Sequence, residues 1–367
     1  MMTKLTTARR RLGLIAIAVP VLGAFALSST SALAASGAVT VGQSGAISAS
    51  EQASVLAYWT PARRAAAKGV DVIAGAQVPS SRPAGGPDGP PSSQAGSLPG
   101  GAPSASGASS ASQGTGPVLA AQPWGYPLPY DAFGVPVKSY KTYPYRVNGT
   151  IFFNNNGGGF KCSGAAVFNA HNSGEVDTAG HCVANTDSGN KFDEFAEFVP
   201  AYNGNGTTAA QIEPYGTFVA NSYSTATEWI LNRNLEDDFG SMSVNKSQKL
   251  KTLSQAVGTD GWAYNFSDNE QYVEFGYPGE APYNGTTMEE NWAASGPCSA
   301  GNLVCTGSPF TGGSSGGPWN IDWTPSSAGY INGHTDFYYT NEPLTKYSPY
   351  YNNLWHEVHC FDKPAEC

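Results

Sequence analysis

Charge is scarce in this chain. Only 13% of its 367 residues are Asp, Glu, Lys or Arg, and the basic ones are the minority, leaving a formal net charge of −9. No basic patch exists to neutralise phosphates, which argues against a nucleic-acid partner. Long apolar runs are missing too, except at the N-terminus, so no later stretch can span a bilayer. Nor does any unit of strand followed by amphipathic helix repeat, which argues against a parallel α/β sheet. Cysteine is limited to six residues, and none has the C-x-x-C spacing of structural zinc. They fall into sequence-local pairs, Cys298 with Cys305 and Cys360 with Cys367 among them, although sequence alone leaves the connectivity open. Gly, Asn, Ser, Thr and Tyr are plentiful, as suits an extracellular β protein made soluble by uncharged polar groups.

Residues 1–34 have the pattern of a signal peptide. Lys4, Arg9, Arg10 and Arg11 precede an apolar run from Leu12 to Leu27, and Ala32-Leu33-Ala34 supplies small residues for cleavage. Pro20 and Gly23 break the run, which disfavours a membrane anchor. The expected product is secreted, extracellular, free of the membrane after cleavage, and monomeric. Residues 35–119 read as a propeptide-like segment and flexible linker. Within them, Ser48 to Lys68 carries helix-forming alanines, with Ser50 as a candidate N-cap. The stretch 79–117 is almost only Pro, Gly, Ser, Ala and Gln and is expected to stay unfolded. A plain spacer or cell-wall tether is the alternative.

Residues 120–367 form the expected compact domain. Strand-like runs recur at 150–153, 165–168, 195–199, 271–275, 329–331 and 337–339, separated by turn residues, and 350–358 suits a terminal helix. Two phrases carry chemistry. Thr178-Ala179-Gly180-His181-Cys182 offers a histidine at a turn beside a cysteine that can pin it. Gly313-Ser314-Ser315-Gly316-Gly317-Pro318 sets a serine between glycines, where its hydroxyl and neighbouring backbone N–H groups can face one point. A histidine base followed by such a serine is a pattern of acyl-transfer catalysis.

With these phrases and Cys162-Ser163-Gly164-Ala165-Ala166-Val167, the chain resembles the trypsin-like (chymotrypsin-fold) serine peptidases, near the bacterial glutamyl endopeptidase branch. The resemblance covers about residues 149–355 by motif order. It implies an all-β fold of two antiparallel six-stranded barrels of chymotrypsin type with a short C-terminal helix. It also implies a Cys162–Cys182 disulfide, His181 as general base, and Ser315 as nucleophile. The N–H groups of Gly313 and Ser315 would form the oxyanion hole. The family order of His, Asp, Ser requires an acid between them, and Glu236-Asp237-Asp238-Phe239-Gly240 supplies candidates. Strand alternation places Asp238 with Gly240, Met242 and Val244 on the more apolar face, which favours Asp238 over Asp237 for a buried triad acid. No cofactor or metal is implied, and the substrate would be a protein or peptide.

Departures from the family pattern bear on activation and specificity. Ser314 stands where animal trypsins have an aspartate that receives the new N-terminal ammonium, so that ion pair is not expected as a switch. A propeptide would instead assist folding or block the cleft. Pro309 stands where trypsin has its pocket aspartate, so preference for basic residues is not expected. His334, in the stretch expected to form the pocket wall, is the candidate for recognising acidic side chains, although Phe310 does not match the hydroxyl residue of glutamyl endopeptidases.

Two alternatives remain open at this level. One is a catalytically inactive peptidase-fold binding protein. The other is an α/β-hydrolase esterase, because Gly313-Ser314-Ser315-Gly316-Gly317 also satisfies G-x-S-x-G; its required Ser, Asp, His order and following helix fit poorly with Pro318. His356 and His359 lie three apart, unlike the H-E-x-x-H zinc motif. Activity is expected to rise with pH around the ordinary imidazole midpoint of ~6.5.

Overall fold

The computed structural model describes residues 34–36, 39–43, 48–75, 87–100, 125–126, 128–136, 138–185, 191–297 and 302–361. Of residues 1–34, expected to be a signal peptide, all but Ala34 lie outside them, as do Cys298 and Cys367. Among the described residues no helix is long and apolar enough to cross a membrane.

The first half of the domain is a closed antiparallel barrel. Its strands are β1 (Asn148–Asn155), β2 (Gly158–Ala166), β3 (Glu175–Ala179), β4 (Glu194–Pro200), β5 (Phe218–Ala226) and β6 (Phe239–Val244). Each pairs with the next around the ring β1, β2, β3, β6, β5, β4, and β4 returns to β1. Closure leaves no free edge within the ring. Ile151, Phe153, Cys162, Val176, Phe198, Phe218 and Met242 fill its core. Such side chains each contribute roughly 1.5–3 kcal/mol on burial, which is why a chain poor in charge and rich in β-branched and aromatic residues settles here.

The second half comprises β7 (Gly261–Tyr264), β8 (Gln271–Gly276), β9 (Glu289–Ala294), β10 (Leu303–Gly307), β11 (Pro318–Ile321), β12 (Tyr330–His334), β13 (Phe337–Tyr339) and β14 (Thr345–Pro349). Its pairings form two sheets, one running β7, β12, β11, β8, β9 and the other β10, β14, β13. A bridge between Ser295 and Thr306 joins them. Val273, Phe275, Tyr277 and Trp323 pack toward the first half, and the helix Asn353–His359 closes the domain. The expected runs 150–153, 195–199, 271–275 and 337–339 lie wholly on strands, whereas 165–168 leaves its strand after Ala166 and 329–331 enters one at Tyr330.

Parts of residues 35–119, expected to be a propeptide-like segment and flexible linker, are folded onto this body. The helix Ala49–Tyr58 is capped by Ser48, not Ser50, because Ser48 and Glu51 form a reciprocal capping box. It ends at Trp59, and a second helix, Pro61–Ala66, starts with Pro at its first turn and Thr60 as cap. Trp59 is buried, with its indole N–H donating to the Phe195 carbonyl at 2.6 Å. Arg64 is buried as well and makes ion pairs to Glu197 at 2.7 Å and Glu213 at 2.8 Å.

The expectation of an unfolded linker fails for 87–100. Ser92–Gln94 adds a strand to the open edge of β7, and Gly96 lets the backbone approach so closely that a Cβ there would lie 2.2 Å from the Thr259 carbonyl. A polar, glycine-rich stretch can thus be held by backbone pairing without an apolar face of its own.

Candidate active site

The histidine turn follows β3. Residues Gly180–Cys182 form one short 3-10 turn, and a disulfide joins Cys182 to Cys162 on β2. Asp238 sits directly before β6, which pairs with β3, so the barrel brings the two turns together. Asp238 is fully buried. Its Oδ1 accepts from the His181 backbone N–H at 2.7 Å, and its Oδ2 lies 2.9 Å from Nδ1 of the ring. Gly180 is needed for this approach, since a Cβ there would lie 2.6 Å from Asp238 Oδ1. Asp237 points elsewhere, accepting from the Asn234 amide.

A second carboxylate shares the site. Asp336, between β12 and β13, places Oδ1 3.1 Å from the same Nδ1 of His181. Two adjacent buried carboxylates do not both ionise cheaply. Burial, reinforced by the Asp238 charge, pushes the Asp336 carboxyl well above its ordinary range. Burial alone would lower His181, but the facing Asp238 and Asp336 outweigh it and push the imidazole up to about 10. Sequence reasoning considered Asp336 only as an acid for the α/β-hydrolase alternative and did not place it beside His181. It lies two residues beyond His334, just past the stretch 330–335 that was expected to form the pocket wall.

Ser315 lies in the loop 312–317 that leads into β11. Its carbonyl accepts from the Ser163 N–H at 2.8 Å, and the Cys182 sulfur is 3.6 Å from the same oxygen. The hydroxyl of Ser163 donates to the Gly313 carbonyl at 2.8 Å and accepts from the Tyr277 N–H at 2.9 Å. The loop is thereby tied to the strand that carries the disulfide. Gly313 has φ of 98°, and Gly316 has φ of 76° with no room for a Cβ beside Thr178. These positions need glycine. The Ser314 hydroxyl donates to the Thr311 carbonyl at 2.7 Å, a local turn contact.

The other sequence candidates fall around the site unevenly. Phe310 is buried against Tyr283, and Pro309 is half-buried. His334 is fully buried, with Nδ1 2.9 Å from the Tyr351 hydroxyl. Burial pushes it down to about 3, leaving it neutral beside the His181–Asp238 pair. That position is unlike a cation waiting for a substrate carboxylate. His359 stacks on Trp355 and faces the Phe168 carbonyl, as a packed helix residue. Cys305 and Cys360 are disulfide-bonded, and their expected partners lie outside the described residues. His181, Asp238 and Asp336 offer three potential ligand atoms within 4.8 Å of one another. The hydrogen bonds among them serve equally to orient a base.

Comparison with known proteins places the fold. No family model matches the chain, and no curated protein matches it. Solved structures do. The protease Anisep from Arthrobacter nicotinovorans is 30% identical with a TM-score of 0.52, the alignment covering 59% of this chain and 95% of that one. A thermostable serine protease, AL20, from an extremophilic microorganism is 27% identical with a TM-score of 0.52, covering 63% of this chain and 100% of that one. The matched share corresponds to a whole protease, and the remainder of this chain is additional to it. By this likeness and its chymotrypsin-like architecture, the chain belongs to the trypsin-like bacterial serine proteases.

Proposed function

We propose that the protein is a secreted serine endopeptidase working through Ser315, His181 and Asp238. The observation that supports this most is the grip of one buried carboxylate on both the backbone and the ring of His181, beside the loop that carries Ser315. With Nδ1 held as donor to Asp238, Nε2 is left as the basic nitrogen. It takes the Ser315 proton as the hydroxyl attacks a peptide carbonyl, and returns it to the leaving amine. The Gly313 and Ser315 N–H groups hold the developing oxyanion, and loss of such a donor costs about 10²–10³ in turnover. A water then repeats the cycle on the acyl-enzyme. The disulfide chemistry accords with an oxidising, extracellular destination.

The test is fluorophosphonate labelling together with hydrolysis of unstructured protein substrates. Labelling is expected at Ser315 and is expected to vanish in Ser315→Ala. Folded, leader-free protein that neither labels nor hydrolyses would favour the inactive binding protein.

A further inference from the structure

Residues Lys68–Gly69 and Val72–Ala74 run as strands through the groove between the two halves. Lys68 and Gly69 pair in parallel with Phe160 and Lys161 of β2. Val72, Ile73 and Ala74 pair in parallel with Phe337, Tyr338 and Tyr339 of β13. Between them, the Val70 N–H donates to the Lys161 carbonyl at 3.0 Å, and the Val70 carbonyl accepts from the Gly313 N–H at 2.7 Å. The Ser315 hydroxyl donates to that same Val70 oxygen at 3.3 Å. Beside it, the Asp71 carboxylate accepts from the Tyr338 hydroxyl at 3.3 Å; burial pushes its carboxyl above the ordinary range, and the buried Lys346 ammonium opposes that rise.

We propose that residues 68–74 are an in-cis inhibitor of the site assigned above, with the Val70 carbonyl in the oxyanion position and Asp71 filling a carboxylate-binding subsite built from Lys346 and Tyr338. This rests on the catalytic reading of Ser315 and Gly313. The arrangement is that of an occupant and not of a substrate in reaction. The nucleophile spends its proton on the Val70 oxygen, while Nε2 of His181 is buried with no hydrogen-bond partner among the described residues. Base and nucleophile are therefore uncoupled while the strand is seated. Once it leaves, the vacated subsite presents an ammonium with its Nζ donating to the Pro343 carbonyl at 2.7 Å and stacked over the Tyr338 ring at 4.3 Å. The ligand class it accepts is an extended peptide with an acidic side chain at the Asp71 position.

Gly69 supplies the test. A Cβ there would lie 2.3 Å from the Gly312 carbonyl oxygen and 2.4 Å from its carbon, so Gly69→Val cannot keep the strand in place. In the intact chain, fluorophosphonate labelling of Gly69→Val is expected to run about 10²-fold faster than in the parent, with Asp71→Asn in between. Hydrogen exchange at the Gly313 amide is expected to be slow in the parent and fast in Gly69→Val. A synthetic peptide of residues 66–76 should inhibit the Gly69→Val protein, and its Asp71→Asn form should inhibit it at least about tenfold less well. Equal labelling and equal Gly313 exchange in parent and Gly69→Val would overturn the proposal. Exchange that differs, with no labelling in any form, would uphold the seated strand and instead defeat the assignment of Ser315 as nucleophile. Peptides that inhibit equally would remove the carboxylate subsite.

Discussion

At the scale of single residues, the unusual feature is a histidine faced by two carboxylates. The direction of the consequence follows from the charges. Asp238 and Asp336 stabilise the imidazolium, so neutral His181, the form able to act as base, is reached at higher pH than in a free imidazole. The rate of fluorophosphonate labelling in the Gly69→Val background is therefore expected to climb with pH through a midpoint above ~6.5, displaced toward the region of about 10. Asp336→Asn removes one of the two acids and should move that midpoint down, while a merely structural role would lower the rate without moving it. An unchanged midpoint in Asp336→Asn would show that Asp238 alone sets the imidazole.

At this scale the sequence was also most legible. His181 and Ser315 could be singled out because glycines and a cysteine mark their turns, whereas the Cys162–Cys182 bridge was what the family resemblance implied. Asp238 was separable from Asp237 by strand alternation, although it caps the entry to β6 and does not lie on it. Asp336 was not separable, since nothing local distinguishes it; only the meeting of β3, β6 and the β12–β13 turn brings it to His181. His334 had the chemistry for a pocket group but points into the interior, because its strand faces Tyr351 and not the groove.

At the scale of elements, residues 48–75 are docked by a few concentrated contacts. Arg64 is the chief of these, since its guanidinium reaches Glu197 and Glu213, and its NH2 donates to Thr217 at 3.0 Å. Burial pushes Glu197 up to about 8 even though Arg64 pulls it down, so removal of the arginine leaves an acid that is costly to keep charged. Breaking such a pair costs about 3–5 kcal/mol. Arg64→Ala should therefore release the helices Ala49–Tyr58 and Pro61–Ala66, seen as new protease-sensitive sites within 48–75 and faster Ser315 labelling. Unaltered protease resistance would mean that Trp59 and the strand pairings suffice. Composition could not reveal this docking. The helical tendency of 48–68 was visible, but the partners of Trp59 and Arg64 are about 130 or more residues away in sequence. The strand at 92–94 was hidden for a related reason, since backbone pairing leaves no mark on side-chain pattern.

At the scale of the molecule, the site is built across a seam. The first barrel holds His181 and Asp238, while the second half holds Ser315 and Asp336. The Cys162–Cys182 disulfide and the Ser163 hydroxyl anchor the seam from one side. Replacing both cysteines by alanine is expected to cost about 2–4 kcal/mol. It should also slow labelling beyond that loss of stability, because the histidine turn is then free to shift. Thermal unfolding and labelling at a temperature well below the transition separate the two effects, and a full labelling rate in the folded double variant would confine the disulfide to stability.

The segment 68–74 also crosses that seam, bonded to β2 on one side and to β13 on the other. A chain that keeps this strap is braced and silent, whereas a chain that loses it gains an open groove and forfeits an internal tie. Robustness and competence should thus exclude each other: the strapped form melts higher, and the opened form endures only as long as its halves stay together unaided.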